Sequence, residues 1–309
     1  MLENIQIVAQ QVGILFLLIF VGYICCKKNI FSGDSVKQTT DLLFYVITPC
    51  VIIKAFQIEF DQRLASGLFI AFVCAVASHL ISIAISSFFF KNKEDRQRNV
   101  LRFGVIYSNC GFMALPLAQA VLGDEGVFYC SAYVAIFNLF AYTQGVRMMK
   151  KSDGVKMPVW KTLINPGTIG IAAGLPFFLL SAPLPALIYQ PVKYLAEMNT
   201  PLAMIIIGTY LARTHLPSML KEKTVYLSGL LRLVAIPLLM FGLFYICGVR
   251  GVLLSAMVIS VCAPPAATTI MFAAKFDNDA DLASKQVSLL TLLSIVTMPV
   301  LVALANVAA

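Results

Sequence analysis

Apolar runs of roughly 20 residues recur along the whole chain, separated by short polar or basic segments. A helix of that length spans the hydrocarbon core of a bilayer. The pattern therefore predicts an all-α, multi-pass membrane protein with no sizeable soluble domain. The ten predicted spans lie near residues 6–26, 36–56, 65–90, 98–121, 126–148, 164–181, 190–212, 224–246, 250–275 and 281–305.

Basic residues are concentrated in alternate connections between these spans. The odd-numbered connections hold 18 of the 23 lysines and arginines. Because cytoplasmic loops carry such an excess of positive charge, these connections are predicted to lie in the cytoplasm and both termini outside it. The bias accounts for the net charge of +8 without a nucleic-acid partner. The N-terminal MLENIQIVAQQ lacks the basic region of a signal peptide, so we expect the first span to be retained.

Composition supports a membrane location and offers little support for catalysis. Charged residues make up 12% of the 309 positions, against about 25% in soluble domains. The eight cysteines lie in or beside apolar spans without metal-ligand spacing. They are predicted to be packing residues rather than parts of a disulfide framework or a metal site. The sequence contains no nucleophile–base arrangement and no phosphate loop, so we expect neither an enzyme nor a bound cofactor.

Two Thr-Pro pairs mark the centres of predicted spans. VITPCVII in the second span contains Pro49 and MNTPLAMI in the seventh contains Pro201, and both prolines are predicted helix breaks. The next disrupted spans are the fourth, with SNCGFMALPL, and the ninth, with SVCAPPAATT. The separations Pro49 to Pro116 and Pro201 to Pro265 are similar, at 67 and 64 residues. Membrane helices often tolerate prolines, and chance is the alternative to an internal repeat.

An internal repeat of five spans would place its two copies in opposite orientations in the membrane, because five is an odd number. The copies are predicted at 1–148 and 164–309, joined by a short basic cytoplasmic linker at 149–163. Transporters built from inverted repeats bind their substrates near the bilayer midplane, where discontinuous helices meet. The repeat therefore directs attention to the disrupted fourth and ninth spans.

These two disrupted stretches form a predicted binding site. Pro116 and the pair Pro264–Pro265 remove backbone donors, and Gly111 allows two backbones to approach closely. Interrupted backbone at membrane depth is tolerated where it is buried in protein or lines a cavity. If the two spans cross, the N-termini of two half-helices point at one place and favour an anion there.

The same stretches resemble a known family. NCGFMALPL resembles the Asn-x-Gly-x-x-Gly-x-Pro pattern in the fourth span of the auxin efflux carrier family, with Ala114 in place of the second glycine. APPAATTIMFAAKFDNDADLASKQVSLLTLLSIVTMPV resembles the ninth and tenth spans of that family. Because the long cytoplasmic insert of many plant members is absent, the chain resembles the bacterial branch, which includes malate and malonate permeases.

The resemblance implies a fold of two inverted five-helix repeats with crossed, broken fourth and ninth helices, as in bile-acid transporters. The helices would redistribute into a scaffold domain and a transport domain that carries the crossover site. Alternating access would then follow an elevator mechanism. We also expect a homodimer formed through the scaffold domain and a location in the bacterial inner membrane.

Polar side chains near the predicted crossover are the candidate substrate contacts. The amide of Asn109 could donate to a carboxylate, and the resemblance places the matching family asparagine at the crossover. A hydrogen bond between helices is the alternative role. Thr268 and Thr269 could bind substrate or cap the second half-helix of the ninth span. Asn138, in the middle of the fifth span, could bind substrate or serve packing.

Ionisable residues within spans are costly, and each is a functional hypothesis. Glu197 could carry a proton or help to bind a coupling ion, H⁺ or Na⁺, or it could pair with Lys193 one helical turn away. His79 could transfer protons near neutral pH, whereas a neutral core histidine is the alternative. Lys54 is expected to reach water, and Arg232 to snorkel towards the cytoplasm.

Together these features predict a secondary transporter of small organic anions, mono- or dicarboxylates, with the substrate bound at the helix crossover. A sodium-coupled organic-anion symporter of the bile-acid-transporter type is one alternative. A passive channel or a membrane sensor is the other.

Overall fold

The computed structural model describes residues 2–31, 33–150, 166–213 and 216–308. Within these ranges every regular element is a helix, apart from one isolated bridge between two extended residues. The predicted linker at 149–163 lies outside the described residues from residue 151 onward. The all-α class is therefore confirmed for the described part of the chain.

The helices follow one another with short connections. In chain order they are α1 (Leu2–Lys27), α2 (Gly33–Ala55), α3 (Gln62–Phe88), α4 (Asp95–Ile106), α5 (Cys110–Met149), α6 (Pro166–Leu179), α7 (Ala186–Glu197), α8 (Asn199–Arg213), α9 (Leu216–Lys221), α10 (Lys223–Ile246), α11 (Gly251–Cys262), α12 (Thr268–Lys275) and α13 (Ala280–Ala308).

Among the described residues, six helical stretches are long and apolar enough to cross a membrane, and three shorter helices are also apolar. The six are α2, α3, α5, the combined stretch of α7 and α8, α10 and α13; the shorter three are Gly13–Lys27, α6 and α11. α5 bends at Gly123, whose φ of 69° lies outside the helical region. The part of α5 before this bend belongs to the fourth predicted span, and the part after it contains the fifth. The division into ten spans and the inverted repeat stay predictions.

Pro49 and Pro116, each inside a long helix, follow wider, π-helical turns. In α2 the turn Leu43–Ile47 precedes Pro49, and in α5 the turn Cys110–Ala114 precedes Pro116. Proline lacks an N–H and its ring collides with the carbonyl four residues earlier, so an extra residue in the preceding turn relieves the conflict. α2 continues through Pro49, and the predicted helix break at this residue is wrong.

The seventh predicted span is interrupted by a single residue, Met198, between α7 and α8. The Met198 N–H donates to the Leu195 carbonyl at 3.2 Å, and the Leu202 N–H donates to the Met198 carbonyl at 3.1 Å. Pro201 is the third residue of α8, in the first turn, where a helix needs no N–H donor. The interruption therefore precedes Pro201 by three residues.

Helix packing divides the described helices into two groups. In the first group α1 packs on α8, and α2 packs on α6 and α7. In the second, α5 packs on α3 and α11, while α13 packs on α4, α10, α11 and α12. The groups meet where α2 and α6 contact α5 and where α1 contacts α13.

The contact between α1 and α8 depends on glycine. A Cβ atom added at Gly208 would lie 2.7 Å from the backbone nitrogen of Tyr23, and one added at Gly22 would collide with the backbone of Ile205. Because no larger residue fits without moving a backbone, the two helices approach more closely here than side chains would allow.

Candidate substrate site at the crossing of two interrupted helices

Two helices are interrupted, and their extended segments cross. α4 ends at Ile106 and α5 begins at Cys110; α11 ends at Cys262 and α12 begins at Thr268. The Asn109 N–H donates to the Pro264 carbonyl at 2.7 Å, and the Ala266 N–H donates to the Tyr107 carbonyl at 2.9 Å. These two hydrogen bonds form an antiparallel bridge centred on Ser108 and Pro265.

The interruption between α11 and α12 has a local cause. Pro264 and Pro265 supply no N–H donors, and a residue that precedes proline is disfavoured in helical geometry. Ala263, which precedes Pro264, is accordingly extended, with φ −60° and ψ 144°. The predicted disruption of the ninth span near these prolines is therefore confirmed in position.

The interruption between α4 and α5 lies at the start of the predicted SNCGFMALPL stretch rather than at its glycine and proline. Tyr107 and Asn109 leave helical geometry, whereas Gly111 lies within a π-helical turn and Pro116 in the helical turn that follows. Neither of these residues therefore breaks the helix. The break is a tertiary effect, because the extended backbone of 107–109 obtains its hydrogen bonds from the other interrupted segment.

A small, partly open cavity of about 40 Å³ lies beside the bridge, and we refer to it as the crossover cavity. It is lined by α2, the two crossing segments, α5 and the start of α12. Polar or small residues on its wall include Thr48, Ser108, Asn109, Gly111, Asn138 and Thr268. Four predicted contacts, Asn109, Gly111, Asn138 and Thr268, thus meet at one place. A water molecule needs roughly 10–15 Å³, so the cavity has room for one carboxylate-sized group.

The crossover cavity exposes polar atoms that lack partners among the described residues. The carbonyl oxygen of Asn138 and the hydroxyl of Thr268 are buried without a hydrogen bond, although the Asn138 amide nitrogen donates to the Val134 carbonyl at 3.0 Å. Asn109 is 6% exposed. Buried polar atoms without partners are costly in a folded protein. They therefore indicate a position where a ligand or water forms the missing hydrogen bonds.

The remaining predicted contacts do not line the crossover cavity. Pro264 and Pro265 lie in the bridge beside it, and Pro116 is buried in α5. Thr269 is fully buried in α12 with a hydroxyl that has no partner among the described residues. Of this set, Thr269 alone therefore keeps an unsatisfied polar atom close to the site.

His79 is enclosed by aromatic rings in the second group of helices. Its Nδ1 atom lies 2.7 Å from the Ala75 carbonyl, one helical turn earlier. The rings of Tyr133 and Phe140 lie with their centroids 5.0 Å and 5.3 Å from the imidazole. The Nε2 atom is buried without a hydrogen bond to a described residue. His79 is absent from the wall of the crossover cavity, so no direct contact with a substrate there is expected.

Arg232 is a charged residue that the sequence analysis misplaced. Its side chain is fully buried, so the prediction that it snorkels to the cytoplasm is wrong. Nε donates to the Ala263 carbonyl at 3.0 Å, and one terminal nitrogen donates to the Val105 carbonyl at 3.2 Å. The other terminal nitrogen donates to the Val261 carbonyl. The guanidinium therefore joins the carbonyl ends of α4 and α11, and its position within an apolar span was the signal for a functional role.

A second cavity of about 290 Å³ lies where α2, α5 and the α7–α8 interruption meet. Lys54, Glu197, Asn199 and Thr200 are on its wall. Lys54 is 16% exposed and forms an ion pair at 2.7 Å with Asp124, whose side chain is 41% exposed. The Asn199 carbonyl oxygen is buried without a partner among the described residues.

Glu197 is exposed at the end of α7. The ion pairs formed by described residues do not include the expected pair of Glu197 with Lys193. Pro201 has no N–H, so the backbone carbonyl of Glu197, four residues earlier, has no partner at the usual helical position. This end of the second cavity is consequently rich in oxygen acceptors.

The fold and the crossing define a class of protein. It is an integral, multi-pass helical membrane protein in which two interrupted helices cross beside a small cavity. Residues 7–302 match the model of a family described as membrane transport protein. The chain belongs to this family, and the resemblance to the auxin efflux carriers is confirmed. The match covers nearly the whole chain, which is accordingly a membrane transporter.

Two relatives carry transporter names. An "Uncharacterized transporter" of Methanothermobacter thermautotrophicus is 24% identical over 294 residues, which cover 91% of this chain and 93% of the relative. A protein of Rhizobium meliloti named "Putative malonate transporter" is 21% identical over 295 residues, covering 92% of this chain and 91% of the relative. Both alignments extend over nearly the full length of each protein.

Proposed function

We propose that the protein is a secondary transporter of small organic anions, mono- or dicarboxylates, which binds a carboxylate in the crossover cavity. The observation that supports this most is the meeting of two helix N-termini at that cavity. α5 begins at Cys110, beside Asn109, and α12 begins at Thr268. Helix N-termini carry a partial positive charge and N–H groups without intrahelical partners, which favour an anion.

The side chains at the cavity suit a carboxylate. The Asn109 amide and the Thr268 hydroxyl can each donate to a carboxylate oxygen, whereas the Asn138 oxygen can accept from a protonated group or a water. The name of the Rhizobium meliloti relative makes malonate a rational first substrate to try. Because the cavity of about 40 Å³ accommodates one carboxylate rather than a whole diacid, binding requires its walls to separate.

Elevator-type alternating access fits the division of the helices into two groups. The crossing belongs to the group built from α3, α4, α5 and α10–α13, and α2 of the other group closes the cavity. Movement of the second group, which carries the crossing, along α2 and α6 would open this wall and carry a bound anion across the membrane. The cavity lies at the boundary between the groups, which is where a transported ligand must be released.

Uptake by proteoliposomes tests the proposal. Entry of labelled malonate should saturate with concentration and be inhibited by other small mono- and dicarboxylates, but not by amines of similar size. Flux that rises linearly with substrate concentration indicates a channel and contradicts the proposed mechanism. Inhibition by amines rather than acids contradicts the proposed charge of the substrate.

A sodium-coupled symporter is the second candidate, and the second cavity supports it. The carboxylate of Glu197, the unpartnered oxygen of Asn199 and the hydroxyl of Thr200 are hard oxygen donors close to the interruption between α7 and α8. Interrupted helices with free carbonyls supply such ion sites in secondary transporters. H⁺ could use the same carboxylate, and His79 is the other candidate proton carrier.

Exchange of the coupling ion separates these possibilities. If Na⁺ binds at Glu197, replacing external Na⁺ by K⁺ lowers uptake, and Glu197→Gln removes the difference between the two salts. Should a pH gradient drive uptake in K⁺ medium, and Glu197→Gln abolish that dependence, the carboxylate carries H⁺. Lys193→Gln, one turn away on α7, is the matched control and should leave both dependences unchanged.

A further inference from the structure

We propose that Arg232 sets the anion preference of the crossover cavity, by neutralising the carbonyl ends of the two helices that stop at the crossing. The inference rests on the proposed transport of organic anions and names the residue that gives the site its sign of charge. Arg232 does not line the cavity, so it acts as a positioning and specificity-determining residue rather than as a substrate contact.

Four helix ends meet at the crossing, and their partial charges cancel. The N-termini of α5 and α12 each contribute about half a positive charge, and the C-termini of α4 and α11 each contribute about half a negative charge. Without a further charge, the carbonyl ends would offset much of the attraction that the two N-termini exert on an anion at the crossing. The sign of the site therefore depends on what is bound to the carbonyl ends.

The guanidinium of Arg232 occupies that position. It donates to the carbonyls of Val105 and Ile106 at the end of α4, at 3.2 Å and 3.4 Å. It also donates to Val261 and Ala263 at the end of α11. Its planar fork of donors allows one side chain to serve both ends, which a single ammonium group could not do equally well.

Among the described residues, no carboxylate forms an ion pair with this cation. Arg232 is fully buried. A buried charge without an ionic partner is costly, and carbonyl oxygens offset only part of that cost. The four helix ends and the guanidinium together leave about one positive charge next to the crossover cavity.

The cavity is within range of this charge. Ala263 accepts from Arg232 at 3.0 Å and is three residues before Ala266 on the cavity wall. Three extended residues span at most about 10 Å, so the guanidinium lies within about 13 Å of this wall. At that distance and an effective dielectric constant of about 20, one unit of charge changes affinity roughly tenfold per unit of ligand charge. The fold-change in affinity for a dianion should therefore be about the square of the fold-change in affinity for a monoanion.

Binding of malonate and of its half-amide, malonamate, to the purified full-length protein tests the inference. Both probes have similar shapes, but they carry two charges and one charge. Arg232→Gln should weaken malonamate binding roughly tenfold and malonate binding roughly a hundredfold. Arg232→Lys keeps the charge, and it should preserve the ratio of the two affinities even if both decline.

Gln286→Leu is the matched structural control. Gln286, on α13, donates to the Leu101 carbonyl of α4 at 3.1 Å and to the Ser228 hydroxyl of α10. It therefore bonds two of the three helices that Arg232 joins, without a charge. Its loss should affect both probes by the same factor. Equal losses of both probes in Arg232→Gln would overturn the proposed role and reduce Arg232 to a structural residue.

Two further outcomes are interpretable. If Arg232→Gln does not fold, Cys262→Asp places a carboxylate at the end of α11 beside the intact guanidinium. This variant should also lose more affinity for malonate than for malonamate. Equal losses of affinity for the two probes would contradict the inference. If the wild-type protein binds neither probe, the proposed function fails for these substrates, whereas equal losses leave the proposed function standing and remove only the role of Arg232.

Discussion

Truncation of Asn109 tests whether the crossover cavity binds a carboxylate. The Asn109 side chain reaches the cavity wall, while its backbone N–H donates to Pro264 at 2.7 Å. Asn109→Ala removes the amide and keeps this backbone bond, and the observed φ of −77° is accessible to alanine. The fold should therefore survive the substitution, and the change in ligand affinity should report the amide alone.

The expected loss in Asn109→Ala is that of a hydrogen bond to a charged group. Such bonds contribute about 1.5–3 kcal/mol, which corresponds to roughly 10- to 150-fold in affinity. Asn109→Asp should be worse than alanine, because a carboxylate about 4 Å from the ligand carboxylate repels it by about 4 kcal/mol at an effective dielectric constant of about 20. The predicted order of affinities for malonate is therefore asparagine, then alanine, then aspartate.

Isothermal titration of malonate into the detergent-solubilised protein measures this order, with the thermal unfolding midpoint as a check on folding. Asn99→Ala is the matched control, since Asn99 lies on α4, outside the crossover cavity, beside Asn278. Tighter binding by the aspartate variant than by the alanine variant would refute the reasoning, because a cation site responds in that direction. An unchanged affinity in Asn109→Ala would place the ligand elsewhere.

Two other predictions concern topology and packing. Reporter fusions after Ala309 and within 150–158 should give opposite compartment signals, and matching signals would contradict both the orientation and the inverted repeat. Gly208→Ala should lower the thermal unfolding midpoint, at a cost of about 1–3 kcal/mol for overpacking, since the new Cβ would lie 2.7 Å from the Tyr23 backbone nitrogen. Gly13→Ala, where no atom lies within 4 Å, is the control, and an equal decrease in both variants would contradict this account.

The sequence identified the residues of the crossover cavity better than the course of the backbone around it. Asn109, Asn138 and Thr268 are recognisable because polar side chains in apolar spans are few and costly. The disruption at Pro264–Pro265 is also predictable, since proline acts on its own turn. Pro49 and Pro116 obey the same local rule, yet a π-helical turn before each proline keeps the helix continuous.

The break at 107–109 could not be found by local rules, because it contains no proline and depends on hydrogen bonds from a segment more than 150 residues away. The same limit explains the error on Arg232. A hydropathy scale assigns the same free-energy cost to a charged residue in a span, whether its side chain extends to water or donates hydrogen bonds to buried carbonyls. Only the tertiary arrangement offers those carbonyls, since Val105 and Val261 lie on different helices. The buried Arg232 side chain donates to carbonyls at the ends of both interrupted helices. Its substitution should therefore affect the structure of both interruptions.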